Sequence, residues 1–152
     1  MTRMSSPAAA ARRSRGVRSG SSAVEFALVL VPLMMLLFGG IEFGRLLWTR
    51  NAMQQTAVAT ARCLGVHQSQ CATGGVPNVT KAVTFAQTNA LGLSVAIPAA
   101  GVAVTASGSC GGQTGFALVT LTLTFRTAVP KLLTSLGANP VLVTNACFPN
   151  QT

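Results

Sequence analysis

The strongest pattern in the chain is an uncharged, apolar run from Phe26 to Ile41, bounded by Glu25 and Glu42. As a helix these sixteen residues rise about 24 Å, short of the ~30 Å hydrocarbon core of a bilayer. Adding Ala23-Val24 on one side and Phe43 to Trp48 on the other completes a span. Both carboxylates then lie near the interfaces, where charge is less costly than at the bilayer centre. Arg45, Trp48 and Arg50 suit the far boundary, where amphipathic rings and cations sit at headgroup level.

The helical pattern does not stop there. Met53, Ala57, Thr60 and Leu64 recur at helical spacing, with Arg50, Gln54, Gln55 and Arg62 on other faces. The reading is one helix of about 40 residues, apolar first and amphipathic afterwards. Ala52, Ala57, Ala59 and Ala61 leave room for a second layer to approach closely. Pro32 removes a backbone donor and is expected to bend or loosen the helix, with Gly39-Gly40 as a second soft point.

Beyond the helix the periods shorten. Gly65 to Pro77 reads as a Gly-, Ser- and Gln-rich loop. Asn78 can cap a helix from Val79 to Leu91, with Val83, Ala86 or Gln87, and Ala90 or Leu91 on one face and an end near Gly92. Val102 to Ala106 alternates as a strand, and Ser107 to Thr114 reads as a turn. Phe116 to Phe125 is the clearest strand. It sets Leu118, Thr120, Thr122 and Thr124 against Val119, Leu121, Leu123 and Phe125. That is a half-buried antiparallel strand whose threonine face is read as solvated. Val129 to Leu136 forms a short helix or turn, and Val141 to Cys147 a closing strand. The fold class is α+β, with a long N-terminal helix, transmembrane and then amphipathic, packed on a small antiparallel sheet domain.

Charge refines this picture. Eleven basic residues face two acidic ones, a formal +9. Five of the eleven, Arg3, Arg12, Arg13, Arg15 and Arg18, precede Gly20; the rest of the chain holds six basic and two acidic side chains, a formal +4. The high pI is thus partly a targeting signal. The remaining basic residues are scattered and the chain has no Tyr, so nucleic-acid binding is disfavoured. The arginine bias before the span places the N-terminus in the cytoplasm. A cleavable secretory signal fits poorly, because the apolar stretch is long, contains Glu25 at its start and has no small-x-small site at its close.

Beyond Trp48 there is no Asp, Glu or Tyr, and His67 is the one imidazole. Carboxylate pairs, a Ser-His-Asp triad, two-metal sites and carboxylate calcium sites lack their ingredients. No enzymatic activity, cofactor or metal is expected. Cys63, Cys71, Cys110 and Cys147 all follow the span and share one side of the membrane. Three pairings are possible; Cys63–Cys71 with Cys110–Cys147 is favoured because each closes a local unit. Zinc lacks CxxC spacing, and a thiol enzyme would have only His67 as base with no carboxylate to orient it. The Asn-x-Thr triplets at Asn78 and Asn150 read as a cap and a tail rather than as glycosylation sites.

Gly20-Ser-Ser-Ala-Val-Glu25-Phe26-Ala-Leu-Val-Leu-Val-Pro32, then Gly40-Ile-Glu42-Phe-Gly44-Arg45, then Ala59-Thr-Ala-Arg62, resembles the TadE-like pilus subunits. These are minor pilins or pseudopilins of the tight-adherence, Flp-type branch of type IV pili. The resemblance covers residues 16–64 well, and the Val119–Phe125 strand followed by Pro130-Lys131-Leu132-Leu133 more loosely. It implies cleavage between Gly20 and Ser21 by a prepilin peptidase, an integral-membrane aspartic protease. Glu25 and Phe26 then act in processing and assembly as the fifth and sixth residues of the mature chain. Flp-type substrates commonly carry Glu-Tyr there; Phe26 keeps the ring and loses the hydroxyl. The first residue, Ser21, differs from the phenylalanine of other type IV pilins, so N-methylation is not implied.

The organisation expected is a basic leader over 1–20, a transmembrane helix over 21–48, its periplasmic extension over 49–64, and a disulfide-containing α+β periplasmic domain over 65–152. The expected location is the bacterial inner membrane, single-pass. The expected partners are the prepilin peptidase, other pilin subunits, inner-membrane assembly proteins and lipid, with no nucleic acid. The competing reading is an uncleaved single-pass envelope protein whose periplasmic domain binds other envelope components.

Overall fold

The computed structural model describes residues 19–126 and 141–151, with the backbone alone for 19–21. The expected helix or turn at Val129 to Leu136 lies outside these residues, as does the leader up to Arg18. The chain forms two compact units that divide between Gly39 and Gly40.

Helix α1 runs Ser19–Gly65 and continues through Pro32. In the N-terminal unit, every side chain from Ser22 to Gly39 is exposed except the half-buried Leu30. Leu36 and Met35 are more than 70% exposed (76% and 72%). So long a bare apolar surface is unstable in water and fits a bilayer or neighbouring helices. By length and composition α1 can cross a membrane.

From Gly40 onward the chain is a layered α+β unit. After α1 come a small hairpin, β1 (Ala72–Thr73) and β2 (Val76–Pro77), helix α2 (Val79–Gly92), and a 3₁₀ turn at Ala99–Gly101. Strands β3 (Val102–Cys110), β4 (Gln113–Thr124) and β5 (Val141–Pro149) then form an antiparallel sheet in the order β3-β4-β5. The sheet's inner face packs with both helices around one apolar cluster. Met53, Ala57 and Ala61 of α1 meet Ala86 and Ala90 of α2 and Val119 and Leu121 of β4. The alanines let helix and sheet backbones approach, while Met53 and Leu121 fill the space between layers. All four residues of the amphipathic stripe, Met53, Ala57, Thr60 and Leu64, are fully buried. On α2 the buried stripe is Ala82, Ala86 and Ala90, one turn apart. Thr56 Oγ1 donates to Asn89 Oδ1 at 3.3 Å between the helices, and the Thr144 hydroxyl donates to Gln54 Oε1, tying β5 to α1.

Both helices end in the same local motif. Gln68 N–H donates to Cys63 O and His67 N–H to Leu64 O, with His67 at φ 53°. Val95 N–H donates to Ala90 O and Ser94 N–H to Leu91 O, with Ser94 at φ 62°. These paired bonds satisfy carbonyls that the last turn leaves free. His67 is therefore a helix-ending residue, and α2 ends at Gly92 as expected, with Ser94 taking the left-handed position beyond it. At the other end of α2, Asn78 Oδ1 accepts from Lys81 N–H at 3.1 Å, the expected cap.

Two loop expectations are corrected. Gly65 to Pro77 is not all loop, because Gly74 and Gly75 adopt positive φ and close the β1–β2 hairpin. Ser107 to Thr114 is not a turn: β3 runs on to Cys110, β4 starts at Gln113, and only Gly111-Gly112 turns. Both glycines have positive φ (59° and 83°), as a two-residue hairpin turn requires. Register shifts between Thr105 and Ser109 hide the strand's alternation from a sequence reading. The clearest strand alternates as expected, with Val119 and Leu121 buried and Thr122 and Thr124 exposed, but Leu118 and Thr120 of the same face are half-buried and the strand ends before Phe125.

Gly101 is where the 3₁₀ turn meets the sheet. A β-carbon there would collide with the backbone carbonyl oxygen of Thr122 in β4. Backbone cannot rotate aside as a side chain does, so Gly101→Ala is expected to cost about 1–3 kcal/mol. Urea denaturation of the two proteins measures this; an unchanged midpoint would show that the turn can move off the strand.

Candidate functional site

The residues singled out by sequence fall into three places. Gly20 and Ser21 form backbone of the first turn of α1, and the Ser21 side chain is outside what is described. Glu25 and Phe26 stand one turn further on, both exposed, with Phe26 67% accessible. A carboxylate on a bare apolar helix has no core to enter, so whatever neutralises it in a membrane must come from outside this helix face.

The second place is where the apolar run ends. Glu42 and Arg45 pair along the helix, Nη1 to Oε2 at 3.1 Å. The Arg45 guanidinium also lies over the Phe125 ring, 5.8 Å from its centre, which ties α1 to the residue that follows β4. Trp48 Nε1–H donates to Leu93 O at 3.2 Å, tying α1 to the end of α2. Between these ties lie two adjoining grooves of about 770 and 480 Å³, which share Arg45, Thr49 and Ser94. Trp48 lines the smaller, and Phe125 and Arg126 the larger. Sequence reasoning identified Arg45 and Trp48 as boundary residues. It missed Ser94, Phe125 and Arg126, because no local pattern signals that the end of α2 and the end of β4 arrive beside residue 45.

The third place is the pair of disulfides. Cys63–Cys71 joins the last turns of α1 to the loop before β1, with both residues buried. Cys110–Cys147 joins β3 to β5, the two outer strands of the sheet, across β4. Its Cys147 is exposed. Neighbouring bonds hold the chain ends: Asn150 Nδ2–H donates to Ala106 O at 2.9 Å and Gln151 N–H to Gly65 O at 2.9 Å. Asn150 is therefore a packed residue of the sheet end and not a free tail.

No curated protein and no solved structure matches the chain. Over residues 20–62, which carry Glu25, Glu42 and most of α1, the sequence matches the family model described as TadE-like protein.

Proposed function

We propose that the protein is a non-enzymatic minor pilin or pseudopilin of the TadE type that supports assembly of a tight-adherence pilus. The observation that carries this reading is the family match over residues 20–62, with Glu25 on an exposed apolar helix inside it. The proposed sequence of events starts with the leader holding the N-terminus in the cytoplasm. The prepilin peptidase cuts between Gly20 and Ser21 and exposes the α-amino group of Ser21. The apolar part of α1 stays in the inner membrane, and the sheet domain lies in the periplasm, an oxidising compartment suited to two disulfides. Glu25 then pairs with the amino terminus of a neighbouring subunit. A pair relieves a charge that is costly in hydrocarbon, so it favours addition in one register. The partners of this reading are the peptidase, other pilin and pseudopilin subunits, and the inner-membrane assembly proteins.

The test is the intact mass and N-terminal sequence of the protein from its native membrane, with and without the prepilin peptidase. The expected result is a chain starting at Ser21 that disappears when the peptidase is deleted. An unprocessed N-terminus in both strains would sink the pilin reading and leave an uncleaved single-pass envelope protein.

A further inference from the structure

Arg45 and Arg126 line the same 770 Å³ depression with three hydroxyl residues, Thr49, Ser94 and Thr124, of which Thr49 donates to Arg45 O at 2.9 Å. Arg45 is 59% exposed at its side chain even while paired with Glu42, and Arg126 is exposed as well. Of the chain's two acidic residues, Glu42 is the one at this end and it is already engaged by Arg45, so the depression keeps a positive excess. Its apolar wall comes from Val95, Ile97, Pro98, Leu123 and Phe125, and the adjoining groove is walled by Ile41 and Trp48. Ile41 closes the apolar run, and Trp48 closes the span. The groove is thus built partly from residues that the sequence reading puts at the bilayer surface.

We propose that this groove binds the phosphodiester headgroup of an anionic phospholipid, seating the sheet domain on the membrane surface. The chemistry is that of guanidinium groups and hydroxyls around a phosphate, with an indole at headgroup depth. Arg45, paired with Glu42 and lying over Phe125, offers its remaining guanidinium donors; Arg126, just after β4, supplies the second charge. An isolated arginine on a helix would attract anionic lipid weakly and without a seat. Two arginines brought from α1 and the end of β4 into one depression define one. The inference rests on the membrane reading of α1 and not on the pilus reading.

The experiment reconstitutes the full chain in nanodiscs of phosphatidylglycerol and phosphatidylcholine in equal amounts, then counts retained lipids by native mass spectrometry. Phosphatidylglycerol is expected to be retained over phosphatidylcholine by about tenfold, in line with the pull of basic residues on anionic lipid. Arg45→Gln with Arg126→Gln should abolish that preference. Arg50→Gln, a basic residue at the same boundary that does not line the groove, should leave it intact. Near-ultraviolet circular dichroism checks that each variant is folded, and Arg126→Gln alone, at an exposed position, tests the site with Arg45 undisturbed. Equal retention of the two lipids, or an Arg50→Gln loss as large as that of the double variant, would overturn the proposal. So would glycerol phosphate in detergent shifting the emission of Trp48, the chain's one tryptophan, as strongly as phosphatidylglycerol does, since the ligand would then be a soluble phosphate ester. Failure of the chain to enter nanodiscs at all would remove the membrane reading, and this inference with it.

Discussion

Glu25→Ala is expected to leave cleavage after Gly20 intact and to cut the yield of sheared pili at least tenfold. The carboxylate is exposed on an apolar stretch that has no other charge until Glu42. Alanine suits both helix and lipid better than glutamate does, so the variant inserts and folds at least as well. What it loses is the proposed pairing with a neighbour's α-amino group. Removing one partner of a buried ion pair costs about 3–5 kcal/mol, ample for a tenfold effect. Two gels separate the outcomes: one for the mature mass, one for the pilus fraction. If processing fails, Glu25 is a recognition element of the peptidase. If processing and pilus yield both survive, the register role is wrong. Glu25→Gln distinguishes charge from shape, since it keeps the length and hydrogen-bonding capacity while losing the ion pair.

Removing the Cys110–Cys147 disulfide has the largest expected effect on the folded domain. The bond closes a separation of 37 residues, which the chain-entropy model values at about 4 kcal/mol. A domain of this size is stable by about 5–15 kcal/mol in total. Cys110→Ser with Cys147→Ser should therefore lower the midpoint of thermal unfolding by roughly 15 °C or more. The Cys63–Cys71 bond spans only eight residues and is worth about 2.5 kcal/mol in the same model. The ranking follows from topology. Cys110 sits beside the Gly111-Gly112 turn, and its partner is on β5, which pairs with β4 and not with β3. The bond thus fastens the two outer strands to each other across β4. Calorimetry of the double-serine variant checks this; a shift below a few degrees would mean that the β3–β4 and β4–β5 ladders alone hold the edge strands.

How much of this protein can be read from its chain varies with the range of the forces involved. The membrane-length helix, its amphipathic continuation, the Asn78 cap and the faces of Val119 to Leu123 are legible because each is a local matter. Helical and strand periods put like residues on one face, and a capping side chain bonds a backbone group three residues away. The ends of β3 and β4 were not legible, because register shifts interrupt the alternation that marks a strand. Nor was the helix-ending role of His67 and Ser94, since neither is the glycine that usually takes the left-handed position.

Sequence alone thus determined the span, its flanking charges, the resemblance at its N-terminus and the alternation of the central strand. Tertiary structure alone decided which disulfide crosses the sheet, why a β-carbon at Gly101 meets the Thr122 carbonyl, and that Arg126 and Phe125 arrive beside Arg45. The physical reason is common to all three. Each depends on two segments well separated in sequence meeting in space, and local periodicity carries no record of which distant backbone a residue will meet. Packing resolves that choice when Met53, Ala86 and Leu121 close around one core.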